Sequence, residues 1–191
     1  EHADALAALH DQTQELVRAT SRESIAETVL GATMETLGHE FCSVQLLEGE
    51  KLRPVAVSAP ADSLTGGVPV YEADCWGLGE ALQRQAPVLV DAPVEAARAA
   101  TAGPSVAMVE PFPEVLFVPI GEYGVLSVGA ESGGFDDADR SLAELLASHA
   151  AMAIERVERE SELLTNQTVL ETLQGMVYAI DTDRQFELVT D

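Results

Sequence analysis

The chain has 191 residues, 47% of them hydrophobic, enough for one well-filled core and a tail and too many for a disordered chain. Asp and Glu number 33 against 10 Lys and Arg, a formal net charge of -23 that repels a phosphate backbone and argues against nucleic-acid binding. No apolar run approaches the roughly 20 residues of a membrane helix, no signal segment opens the chain, and the two cysteines form no CxxC or Cys/His cluster, so a reduced cytoplasm is expected and a zinc site or disulfide-built fold is not.

In chain order, Leu6, Leu9, Thr13, Leu16 and Thr20 recur at alternating spacings of three and four, predicting a helix over Ala3–Ala19 with a helix–helix seam. Thr20-Ser21-Arg22-Glu23 has the spacing of a capping box, Thr20 with Glu23, and predicts a second helix. Its buried face is expected to carry Ile25, Val29, Leu30, Thr33 and Leu37, and Gly38 its stop. Cys42, Val44 and Leu46 alternate with Ser43 and Gln45, which predicts a strand with the two polar residues on a solvent face. Glu48-Gly49-Glu50 is turn chemistry, and Leu52–Ala59 returns as a partner strand with Val55 and Val57 inward.

Pro60–Asp74 reads as a loop, Gly79–Gln85 and Pro93–Ala100 as short helices, and Pro87–Asp91 as a short strand. Val115–Ile120, the turn Gly121–Gly124 and Val125–Ala130 form the plainest hairpin. Asp136 is the expected cap of a long helix passing Leu142, Leu146, Met152 and Val157 toward Leu164 and ending at Gly175. Met176–Ile180 and Phe186–Thr190 then read as two strands. Helices around an antiparallel sheet place the chain in the α+β class.

Several stretches resemble the GAF family over Ala5 to about Glu160. They are Leu9-His10-Asp11, Thr36-Leu37-Gly38, Cys42–Leu47, Ala86–Asp91, the hairpin Phe117–Val128, and Phe135-Asp136-Asp137-Ala138-Asp139 with Ala150–Arg156. The tail, Val169–Leu173 through Met176–Asp181 to Phe186–Asp191, resembles the opening of a PAS domain, with Asp183-Arg184 in place of the usual Asp-Gly. The resemblance implies a GAF-like central antiparallel sheet flanked by helices with a long C-terminal linker helix. It divides the chain into a sensory domain (1–160), a helical linker (161–174) and the truncated start of a PAS domain (175–191). Such an arrangement is similar to sensor histidine kinases and bacterio-opsin-activator-like regulators of halophilic archaea. A single lysine, Lys51, and the dominance of acids fit that origin, because at molar salt the screening length falls to about 3 Å and self-repulsion fades. The chain begins mid-helix without Met, so a piece of a longer protein is expected.

Bottom-up, little points to catalysis. Gly77-Leu78-Gly79 lacks the third glycine and the preceding strand of a phosphate-binding loop. Asp136-Asp137-Ala138-Asp139 lacks the Gly and terminal Glu of a calcium loop and suits helix capping. His10 and His149 fall on helices that the family packs together, where a structural role outweighs haem ligation. The expectation is therefore a non-catalytic sensory and dimerisation module with no resident cofactor or metal. Tyr71, Cys75, Trp76, Met108, Phe112 and Phe117 fall in or beside the loops that roof the cavity in the family, and are the candidate ligand-binding residues. Leu6, Leu9, Leu16, Leu142, Leu146, Met152 and Val157 are the candidate homodimer contacts, the downstream PAS/output region being the other partner. Two alternatives remain: a GAF-fold thiol-dependent methionine sulfoxide reductase using Cys42 and Cys75, or a haem or bilin sensor.

Overall fold

The structure, a computed structural model, describes residues 15–16, 18–61, 68–75, 77–91, 112–130 and 133–177, with side chains of the last helix described to Thr165. The expected helix over Ala3–Ala19 lies outside the described residues up to position 14, as does the one over Pro93–Ala100. Helix α1 (Arg22–Leu37) opens one residue later than the Thr20 box predicts. Ser21 is its cap, accepting from the Ser24 N–H (3.1 Å), and the Ser24 hydroxyl sits 3.2 Å from the Ser21 N–H to complete the exchange. Serine at both positions does the work assigned to Thr20 and Glu23. Gly38 ends the helix at φ +69, where a side chain would be strained, and its N–H donates to Met34 O. The buried stripe is Ile25, Ala26, Val29, Ala32 and Thr33; Leu30 and Leu37 are half-buried.

Among the described residues six strands follow: β1 (Phe41–Glu48), β2 (Lys51–Val57), β3 (Tyr71–Glu72), β4 (Val88–Asp91), β5 (Glu114–Ile120) and β6 (Gly124–Ala130). They form one sheet in the order β3-β2-β1-β6-β5-β4, antiparallel throughout. The β5–β6 hairpin is built as its spacing predicts, and so is the β1–β2 hairpin, apart from a shift of register at Val44/Gln45. That irregularity turns Leu52 and Ala56 to the buried positions and leaves Val55 and Val57 half-buried, the reverse of the alternation expected. β3 lies inside the stretch expected to be a loop; two residues are too few for a period to show.

Register sorts the side chains onto two faces. Phe41, Ser43, Gln45 and Leu47 of β1 share one with Val125, Ser127 and Gly129 of β6 and Val115 and Phe117 of β5. Helix α2 (Leu78–Arg84) covers this face, with Leu78 and Ala81 in one cluster with Phe117, Val115 and Val125. The opposite face carries Cys42, Val44, Leu46, Leu126, Val128, Leu116 and Val118, all buried, and α1 packs against β1 and β2. Helix α3 (Asp137–Val177) begins after reciprocal bonds between Asp136 and Asp139: the Asp139 N–H donates to Asp136 Oδ1 (2.8 Å), and the Asp136 N–H to Asp139 Oδ2 (3.1 Å). Ala143, Leu146, Ala147, Ala150, Ala153 and Ile154 form its buried stripe.

The chain divides into two compact units, Glu1–Ile154 and Glu155–Asp191. In the second, helix continues to Val177, past the stop expected at Gly175; a lone glycine inside a helix costs only about 1 kcal/mol. The strand expected over Met176–Ile180 is thus helical at its start and otherwise outside the described residues, as is Phe186–Thr190. Side chains 161–165 of this unit are exposed, and Arg156–Glu160 and Arg159–Glu155 pair along the helix.

Candidate functional site

Four of the six candidate pocket residues converge on the α2-covered face. Tyr71, Phe112 and Phe117 are buried in one apolar cluster and Cys75 packs against it; Trp76 and Met108 lie outside the described residues. Two glycines let the rings in. Gly77, at φ +77, stands where a Cβ would come within 2.6 Å of the Phe117 ring, and Gly129 where one would come within 2.8 Å of Phe112. Phe112 also stacks at a tilt on Phe41, centroids 4.8 Å apart.

At the centre of the same face sits a polar group that the alternation pattern misassigns. Ser43 and Gln45, expected in water, are fully buried together with Ser127. Gln45 Nε2 donates to Ser43 Oγ (2.8 Å), and Ser127 Oγ donates to Gln45 Oε1 (3.0 Å). The face is covered rather than wet, and burial demands that its polar groups be bonded. The signal available in sequence was chemical: serine and glutamine are residues that can satisfy one another across β1 and β6.

The two thiols are separated by the sheet. Cys42 lies on the α1-packed face, its thiol donating to His39 O (3.4 Å), and burial pushes it up to about 12. Cys75 lies against the α2-side cluster, its thiol also raised, first by burial; the Gly79 amide pulls it back and Asp74 adds to the rise. Burial, with the neighbouring Cys75, raises the Tyr71 phenol as well. Elsewhere, a groove of about 280 Å³ runs along Gln85, Pro87, Pro119, Gly121, Glu144 and Ser148. Among the described residues no group of three His, Cys, Asp or Glu side chains is placed to hold a metal ion, and no helix is long and apolar enough to cross a membrane.

Of the candidate dimer residues, Leu16 and Leu146 are committed to the first unit's own core, at 2% and 1% exposure. Leu142 and Val157 are half-buried and Met152 is 56% exposed; Leu6 and Leu9 lie outside the described residues.

A GAF domain family model matches residues 19–155. The chain belongs to the GAF domain family. Solved GAF structures share the fold at low identity. The GAF domain of a phosphoenolpyruvate-protein phosphotransferase from Coxiella burnetii is 22% identical with a TM-score of 0.67, covering 83% of this chain and 96% of that one. The GAF domain of a putative sensor histidine kinase from Pseudomonas syringae pv. tomato is 18% identical with a TM-score of 0.56, covering 86% and 94%. The free methionine-R-sulfoxide reductase from Neisseria meningitidis, solved with its substrate, is 17% identical with a TM-score of 0.62, covering 81% and 89%. No curated protein matches the sequence. The same fold thus occurs in a domain of a putative sensor histidine kinase and in a reductase.

Proposed function

We propose that this GAF domain is a non-catalytic input module of a signal-transduction protein, a sensor histidine kinase or a transcriptional regulator, coupling small-ligand binding on its α2-covered face to an output domain through α3. The observation that supports the reading is the make-up of the α2-covered face. Tyr71, Phe112, Phe117 and the Ser43–Gln45–Ser127 group lie on one face, with apolar walls and a few polar handles. The C-terminal residues 175–191 are read as the start of a PAS domain, after the linker 161–174, and the acidity as that of a halophile's cytoplasmic protein. Two copies pair through the exposed side of α3, where Met152 and Leu145 stand in water.

The reductase alternative asks for a thiolate nucleophile and a second thiol to resolve it. Cys42 and Cys75 sit on opposite faces of the sheet with burial disfavouring both thiolates, which supports the non-catalytic reading. Purified chain in molar KCl, given free methionine sulfoxide and a dithiol, is expected to show no turnover and no visible absorbance, and to scatter light as a dimer. Turnover abolished by Cys75→Ser overturns the non-catalytic assignment, a visible chromophore favours a pigment or haem sensor, and a monomer overturns the pairing.

A further inference from the structure

We propose that Phe112-Pro113-Glu114 is a mechanical relay across the edge of the sheet, passing displacement on the α2-covered face to the loop that starts α3. On the first side, Phe112 is fixed by its surroundings: it belongs to the apolar cluster, stacks on Phe41 and lies over Gly129 with no room for a methyl group beneath it. Anything that shifts the packing of that cluster shifts this ring. Two residues on, Glu114 opens β5 in register with Ala130 and Asp91, sharing its face with Leu116 and Val118, the face opposite to Phe117. The stretch from 112 to 114 therefore crosses from one face to the other.

On the far side, the Glu114 carboxylate is a clamp. Its Oε2 accepts the N–H of Phe135 (3.0 Å). Gly134, at φ +67, wraps so closely round it that a Cβ there would sit 2.5 Å from the same oxygen, and Gly133 at φ +85 completes the turn. Phe135 is buried, with its ring 4.7 Å from that of His39, just beyond the end of α1, and the next residue is the Asp136 cap of α3. One carboxylate thus holds the entry to α3 and, through Phe135, the exit of α1. Between anchor and clamp stands Pro113, whose ring fixes φ and removes one of the few soft torsions that could absorb a shift. Packed groups of this kind move together or not at all. The relay deepens the sensory reading, which it needs only to say what would displace Phe112.

The test is amide hydrogen exchange at Gly133–Asp139 in the whole chain, with the core amides of β1 and β6 as internal reference for global opening. Glu114→Ala, which deletes the acceptor, is expected to speed exchange at Phe135 about tenfold, whereas Glu114→Gln, which keeps a carbonyl there, leaves it within about twofold. Phe112→Leu is expected to speed the same amides several-fold in the wild-type and Glu114→Gln backgrounds, and to add nothing at Gly133–Asp139 in the Glu114→Ala background. The proposal is overturned if Phe112→Leu leaves these amides unchanged relative to the reference, or if its effect persists undiminished without the carboxylate. No ligand is used, so a chain that bound nothing would leave a positive result standing, and a failed relay would leave the sensory assignment to its own test.

Discussion

Cys42 shows how one buried atom sets a pH limit. Its thiol is raised from an ordinary value near 9 to about 12 because burial disfavours the thiolate. The unfolded chain ionises near 9 and the folded one does not, so this group's contribution to stability is intact below pH 9 and is lost as pH rises toward 12. The slope is about 1.4 kcal/mol per pH unit. Urea unfolding at pH 8 and pH 10 is expected to show a loss of about that size, with Cys75 and Tyr71 adding in the same direction. Cys42→Ala should remove its share of the slope. The identity of Cys42 as a small buried side chain was legible from its place opening an apolar alternation. The placement of Cys75 was not, since it depends on α2 folding over the sheet.

At the scale of an element, β1 was recognisable by its period but its two sides were not. Alternation separates Cys42, Val44 and Leu46 from Ser43 and Gln45, and the usual inference puts the polar set in water. What covers that set is α2, some 35 residues further on, and no window around β1 contains it. The strand therefore carries a polar core group whose members satisfy one another. Gln45→Ala would leave the Ser43 and Ser127 hydroxyls without this partner and open a void, a cost of about 3 kcal/mol in chemical denaturation. A change under about 1 kcal/mol would mean that the group is of little structural weight. Helix ends were clearer, because caps act over one turn: Gly38 and Asp136 stand where expected, while the α1 cap slipped to Ser21 since two serines can exchange bonds as well as Thr and Glu. Gly175 was the opposite case, a stop signal that the helix overrides.

For the whole molecule, charge is the dominant condition. With 33 acids against 10 bases, and the surface ion pairs Lys51–Glu72, Arg53–Glu48 and Arg84–Glu80 each worth little, repulsion is left to the solvent to screen. Raising KCl from about 0.1 M to molar concentration is expected to raise Tm by about 10 °C or more. A Tm indifferent to salt would remove the halophile reading. The α+β class and the order of most described elements were readable from turns and periods, because those signals are local; the sheet order is not, because pairing across the middle is long-range.

That long-range pairing governs when the protein can be assembled. β1 and β6 are neighbours in the sheet, Phe41 opposite Gly129 and Ser43 opposite Ser127, yet residues 49–123 of the chain separate them. On the ribosome, the β1–β2 hairpin can close early against α1, but the other edge of β1 has no partner until β6 has left the exit tunnel. The centre of the domain must then form late, and slowly for a chain of its size. Until it does, the nascent chain exposes the unpaired edge of β1, and any segment translated after β6 would begin to emerge before the domain has closed.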